Sequence, residues 1–158
     1  MQKITVKKTN DKVGALNVIK KLPEFFTKEG IVSFKKDLKK DDLYGAFLNR
    51  KLIGFLTLRK ADKEALEITW LAILPDKQGM GFGLKLVEEC LNISAKKGYR
   101  ICYVKTLAET AKDKGYDKTR NFYKKLGFNT LEIISPYPGW SDNNPCQILA
   151  VALQSHNQ

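Results

Sequence analysis

Hydrophobic and polar positions change period repeatedly along this chain, and each change marks a predicted element. Ile4 and Val6 alternate with polar neighbours and predict a short first strand over Ile4–Val6. Beyond Asn10 or Asp11, either of which suits a helix cap, Val13, Leu16, Ile19 and Leu22 recur at helical spacing on one face. Thr27 is the candidate cap of a second helix through Lys40, with Ile31, Phe34 and Leu38 inward and Asp41-Asp42 at its end. Two strands, Leu43–Leu48 and Lys51–Arg59, flank Asn49-Arg50, the arrangement of a β-hairpin. After a polar turn at Ala61–Glu64, a long strand runs over Leu66–Leu74 and stops at Pro75. A helix opened by Gln78-Gly79-Met80-Gly81-Phe82-Gly83 follows, with Leu84, Val87, Cys90 and Leu91 on its apolar face and Gly98 where a left-handed cap belongs. The remaining pattern predicts a strand over Arg100–Lys105, a polar loop, a helix near Asp117–Leu126 ended by Gly127, and closing strands Asn129–Ile134 and Gln147–Leu153. The order β-α-α-β-β-β-α-β-α-β-β is that of a mixed α/β (α+β) chain, a central mixed sheet flanked by helices.

No repeat or linker interrupts this order, so residues 1–158 are expected to form a single domain. With 43% hydrophobic and 28% charged residues the chain is neither disordered nor collagen-like. No apolar run approaches the roughly 18–20 residues that cross a bilayer, so no membrane role is expected. The N-terminus lacks the apolar stretch of a signal peptide. A reducing, cytoplasmic setting is expected, and three scattered cysteines (Cys90, Cys102, Cys146) agree with it. One histidine, His156, and no Cys-x-x-Cys pair predict no metal site. The net charge of +11 invites an acidic partner, but only Arg50, Arg59, Arg100 and Arg120 among 28 basic residues are arginines. Lysine lacks the planar fork that reads phosphate and guanine, and the lysine pairs are spread along the chain. Nucleic acid is therefore a possible partner, but a solvated lysine-rich surface is favoured.

Chemistry concentrates where the strand Glu67–Ile73 runs through Pro75 into the glycine turn. Alternate glycines before a helix let the main chain approach a ligand closely. The first-turn N–H groups then converge on one spot, which the helix dipole makes favourable for an anion. Spacing excludes two phosphate motifs. A dinucleotide fingerprint from Gly79 needs glycine where Leu84 stands, and in Gly83-Leu84-Lys85 the lysine comes too late for a P-loop and no hydroxyl follows it. Glycines that merely allow close helix–strand packing are the bland alternative.

The run Gln78-Gly79-Met80-Gly81-Phe82-Gly83 resembles the Gln/Arg-x-x-Gly-x-Gly/Ala signature of the GNAT superfamily of acetyl-CoA-dependent N-acetyltransferases. Downstream, Phe122-Tyr123-Lys124-Lys125-Leu126-Gly127-Phe128 resembles the Tyr-Glu-Lys-Leu-Gly-Phe segment on the family's fourth helix, in the correct order and at the correct remove. The resemblance implies a transferase that moves acetyl from acetyl-CoA to a primary amine, small molecule or protein, by direct attack in a ternary complex, as monomer or homodimer. It also implies a sheet splayed between its fourth and fifth strands. The pantetheine arm would lie there against the backbone of Leu71, Ala72 and Ile73, with the pyrophosphate on the amides of Gln78, Gly79, Met80, Gly81, Phe82 and Gly83.

Tyr123 matches the family's tyrosine that hydrogen-bonds the thiolate and serves as general acid. Because Phe122 and Leu126 already form an i, i+4 apolar pair, Tyr123 is expected away from that packing face. Glu67 is the candidate base, since its strand resembles the one on which some members carry a catalytic glutamate. Alternation is expected to put Glu67, Thr69, Leu71 and Ile73 on one sheet face. Tyr116 stands where many members have asparagine. The loops Leu107–Gly115 and Ser135–Pro145, the latter with Tyr137 and Trp140, are candidates for the acceptor wall. The alternatives are an RNA-associated protein, an acetyltransferase acting on aminoacyl-tRNA, and a regulatory domain that binds coenzyme A without turnover.

Overall fold

The computed structural model describes residues 2–111 and 114–154; His156, and Lys112 and Asp113 of the polar loop, lie outside the described residues. In chain order the elements are β1 (Thr5–Lys8), α1 (Lys12–Lys20), α2 (Lys28–Asp37), β2 (Asp42–Leu48), β3 (Lys51–Asp62), β4 (Ala65–Ile73), a 3-10 turn at Pro75–Lys77, α3 (Phe82–Lys96), β5 (Ile101–Leu107), a second 3-10 turn at Lys114–Tyr116, α4 (Asp117–Lys125), β6 (Asn129–Ile134) and β7 (Cys146–Ala152). The seven strands form one sheet in the order β1-β2-β3-β4-β5-β7-β6. Every pairing is antiparallel except β4 with β5, which the α3 crossover makes parallel. Mixed sheet and flanking helices follow the predicted order.

Local chemistry explains the boundaries. Asp11 caps α1 by accepting from the Gly14 N–H at 2.9 Å, and Thr27 caps α2 through the Gly30 N–H at 3.1 Å. Asn49 and Arg50 both take positive φ (51° and 69°), as a two-residue hairpin turn requires. On one sheet face Phe34 of α2 stacks on Phe55 at 5.1 Å. On the other, Cys90 of α3 and Tyr123 of α4 both come close to Cys102 of β5.

Three packing expectations need correction. Val13 is 70% exposed, and α1 instead buries Ala15, Val18 and Ile19, with Leu22 beyond it, a tighter i, i+3, i+4, i+7 stripe that meets the sheet. The buried face of α3 is Phe82, Leu86, Val87, Cys90 and Ser94, which leaves Leu84 and Leu91 half-buried at its margin. Helix α2 stops at Asp37 rather than Lys40, because the chain turns there and carries Asp41 inward.

Among the described residues no helix is long and apolar enough to cross a membrane, and no group of three or more His, Cys, Asp or Glu could hold a metal ion. All three cysteines are free and buried. Burial pushes the Cys90 thiol well up and Cys102 up to about 12, from an ordinary 9.0. The folded state therefore keeps protons that the unfolded chain releases above pH 9. The thiols' contribution to stability should be complete below that pH and fall by about 1.4 kcal/mol per pH unit per thiol above it. Urea denaturation at pH 8 and pH 10 measures this loss.

Candidate active site

Strands β4 and β5 are paired only from Ala65–Ile101 to Ile68–Val104. Beyond that rung β4 continues to Ile73 against β3, and β5 to Leu107 against β7, with no ladder between them. A β-bulge lies at the parting point: Leu58 opposes Ile68 and Thr57 opposes Trp70, so Thr69 is an extra residue. This overturns the expected alternation. Glu67, Thr69, Trp70 and Ala72 face the α2 side, while Leu71 and Ile73 face the opposite side, because one inserted residue inverts the pleat.

Just past the end of β4 the chain turns through the 3-10 turn into the glycine segment, which is loop rather than helix up to Phe82. Gly79 and Gly81 take φ of 75° and 84°, and a Cβ at either would meet nothing within 4 Å, so both face open space. Gly83 is different: a Cβ there would come 3.3 Å from the Phe122 ring, so this glycine permits the close approach of α3 to α4. Within the described residues the N–H groups of Gly79 through Leu84 meet no protein acceptor, the first helical bond being Lys85 N–H to Gly81 C=O at 3.1 Å. No acidic residue stands in the first turn of α3. Gln78 differs from the other predicted cradle residues: its amide already donates to Pro75 at 3.4 Å, and its side chain donates to the Ile73 carbonyl at 2.9 Å, which ties the loop to the strand end. A groove of about 350 Å³ adjoins the cradle between α3 and α4, lined by Leu84, Lys118, Asn121, Phe122 and Lys125.

Tyr123 is more deeply packed than the helix pattern suggested. It is 3% exposed, with its ring edge-on to Phe122 at 5.1 Å and to Phe128 at 5.3 Å, whereas Phe122 and Leu126 are only half-buried. The reason is that α4 presents Tyr123 to the sheet and Phe122 to the start of α3. Burial raises the Tyr123 phenol well above its ordinary value, and Cys102 adds to this, so the hydroxyl stays neutral at any working pH.

On the α2 face, Glu67 lies at the last paired rungs. Its Oε1 is 3.3 Å from the Tyr103 hydroxyl, which donates to it, and 3.4 Å from Lys105 Nζ. Lys105 is the first β5 residue beyond the ladder. Its charge is opposed by burial, but Tyr137 and Glu67 outweigh that and raise its pKa. The loop after β6 brings the Tyr137 ring to 5.3 Å from the same ammonium, and Trp140 packs on Tyr137 at 5.3 Å.

Beside this cluster the Asp41 side chain, fully buried, accepts two hydrogen bonds from Arg59 (2.8 and 3.0 Å) and one from the hydroxyl of Thr69 (2.8 Å). Asp37 pairs with Arg59 at 2.9 Å and accepts from the Trp70 indole at 2.9 Å. The two bulge residues, Thr69 and Trp70, are thus each held by a carboxylate, Asp41 from the turn after α2 and Asp37, the last residue of α2. Sequence reasoning missed Asp41, Arg59, Tyr103 and Lys105. Asp41 read only as part of the Asp41-Asp42 pair that ends a helix, and one lysine in a lysine-rich chain carries no signal of its own.

Solved structures that share this fold include acetyltransferases. A GNAT-family acetyltransferase structure from Desulfovibrio desulfuricans superposes with a TM-score of 0.83 at 17% identity, covering 96% of this chain and 100% of that one. A GNAT family acetyltransferase from Elizabethkingia anophelis with acetyl-CoA bound gives 0.72 at 21% identity, over 95% and 98%. The ribosomal-protein-S18-alanine N-acetyltransferase from Escherichia coli gives 0.72 at 18% identity, over 99% and 97%. No curated protein matches the chain in sequence. The acetyltransferase (GNAT) domain family matches residues 39–130, more than half of the chain. The chain belongs to the GNAT acetyltransferase family.

Proposed function

We propose that the chain is an N-acetyltransferase that takes acetyl-CoA as donor and passes the acetyl group to a primary amine within a ternary complex. One observation carries this reading: the strand pair stops bonding at Ile68 and Val104, and the run of unbonded amides over Gly79–Leu84 begins just past the end of the same strand. The first feature supports an extended arm lying along Leu71, Ala72 and Ile73 as an added strand. The second supports a diphosphate at the α3 N-terminus. Lys118 and Lys125 in the adjoining groove suit the remaining anionic end of the donor.

Acetyl-CoA supplies an activated acetyl carbon and a thiolate as leaving group. The chain's own residues supply position and hydrogen bonds. Glu67 accepts the proton of the attacking amine, and Tyr103 holds its carboxylate in place. Tyr123, kept neutral by burial, is a hydrogen-bond donor to the sulfur as negative charge gathers there.

Isothermal titration with acetyl-CoA tests the reading at its base, since a folded protein with no affinity for the donor would refute it. Tyr123→Phe keeps the ring packing and removes one oxygen. It should lower kcat by roughly 100-fold or more and change acetyl-CoA affinity by less than about twofold. Equal losses in both would make Tyr123 a packing residue only.

A further inference from the structure

The acceptor side of the splay holds a pair of charges that neutralise each other. Glu67 and Lys105 lie 3.4 Å apart with side chains 11% and 26% exposed, on the sheet face turned away from α3 and α4. Lys105 also meets the Tyr137 ring, with Trp140 packed behind it. Arg59, opposite Glu67 on β3, is already paired with Asp37 and Asp41, so those two carboxylates are engaged away from Lys105.

An incoming amine must reach Glu67, and its own charge decides what happens to Lys105. A polycation takes Glu67 away and leaves the Lys105 ammonium with only the Tyr103 and Tyr137 side chains beside it. A simple monoamine, which arrives protonated, has the same defect. A zwitterion exchanges partners instead: its ammonium replaces Lys105 at Glu67, and its anion replaces Glu67 at Lys105. No partly buried charge is then left unpaired.

We propose that the acceptor is a zwitterionic amine, one that carries a carboxylate or other anion a few bonds from its primary amine as an α-amino acid does, with Lys105 binding the anion. Tyr137 and Trp140 form the wall beside it. This rests on the acetyltransferase reading above. The ammonium gives up one proton through Glu67 to water, and the neutral nitrogen attacks the acetyl carbon. The N–C bond forms as the C–S bond breaks and its electron pair leaves on sulfur. The nitrogen's second proton ends on the thiol, so ammonium and thioester yield amide, thiol and one released proton.

The test measures thiol release from acetyl-CoA with α-amino acids, their amides and methyl esters, and a linear diamine, in the wild-type protein and in Lys105→Met and Lys105→Arg. The ratio of kcat/KM for acid over amide is the readout. Amides have the less basic amine, which biases the bare comparison against the acid, and taking the ratio between variants cancels that bias. Lys105→Met should lower the ratio by roughly tenfold or more, mainly through KM for the acid, and Lys105→Arg should restore most of it. An unchanged ratio, a diamine preferred to every amino acid, or acetyl-CoA binding with no amino acid acetylated would each overturn the proposal. Absence of acetyl-CoA binding by calorimetry would instead refute the acetyltransferase reading beneath it.

Discussion

Gly81→Val should weaken acetyl-CoA binding by at least about 100-fold, on the order of 2.7 kcal/mol, in a protein that still folds. Two effects act together. The residue sits at φ 84°, where a β-branched side chain costs about 1–2 kcal/mol or more. The new side chain also projects into open space within the Gly79–Leu84 segment, whose amides an incoming diphosphate must approach to hydrogen-bond distance. Gly98→Val separates the two. Gly98 has φ 96° and no atom within 4 Å of a Cβ, and it lies past the C-terminal end of α3, away from the cradle. Both variants should lose similar thermal stability, and only Gly81→Val should lose affinity, as read by calorimetry. Matching affinities in the two would remove the anion cradle.

Asp41→Ala should be the most damaging substitution outside the cradle. The Asp41 side chain is fully buried and holds Arg59 by two hydrogen bonds and Thr69 by one. Its removal leaves Arg59 with Asp37 alone. Because Arg59 is about one-third exposed, water offsets part of the cost, and about 2–3 kcal/mol is expected, less than a wholly buried pair would lose. That corresponds to a fall in Tm of roughly 5–10 °C for a domain of this size. A second effect is expected at temperatures where the variant is folded. The bulge at Thr69 and Trp70 starts the splay, so kcat should fall about tenfold or more while Asp41→Asn, which keeps the shape and an acceptor, falls less. A Tm loss with kcat unchanged would show that the network braces the sheet and does not position the site.

The order of elements was legible because most of its signals are local. Alternation, helical spacing, the Asn49-Arg50 turn and the caps at Asp11 and Thr27 depend on neighbours within a few residues. The glycine segment was legible for the same reason, since positive φ at Gly79 and Gly81 is a property of the residue and its turn. Less legible was which stripe of a helix would win. In α1 and α4 two apolar faces competed, and the sheet selected Ala15, Val18 and Ile19 in one and Tyr123 in the other. The bulge was not legible at all. Nothing in Glu67-Ile68-Thr69-Trp70 marks Thr69 as the extra residue, because a bulge is defined by the partner strand's register as well as by its own sequence.

The sequence alone determined the element order, the hairpin, the helix caps and the glycine-lined approach to α3, all set by short-range steric and hydrogen-bonding preferences. Long-range packing set the rest: β4 and β5 part after Ile68 and Val104, Asp41 goes inward to hold Arg59 and Thr69, and Glu67 meets Lys105 beside Tyr137. These contacts join residues from 18 to 38 positions apart in the chain, such as Arg59 to Asp41 and Lys105 to Glu67. Such a pairing is chosen by the whole sheet's packing and by the cost of leaving a buried charge alone, and no local pattern encodes it.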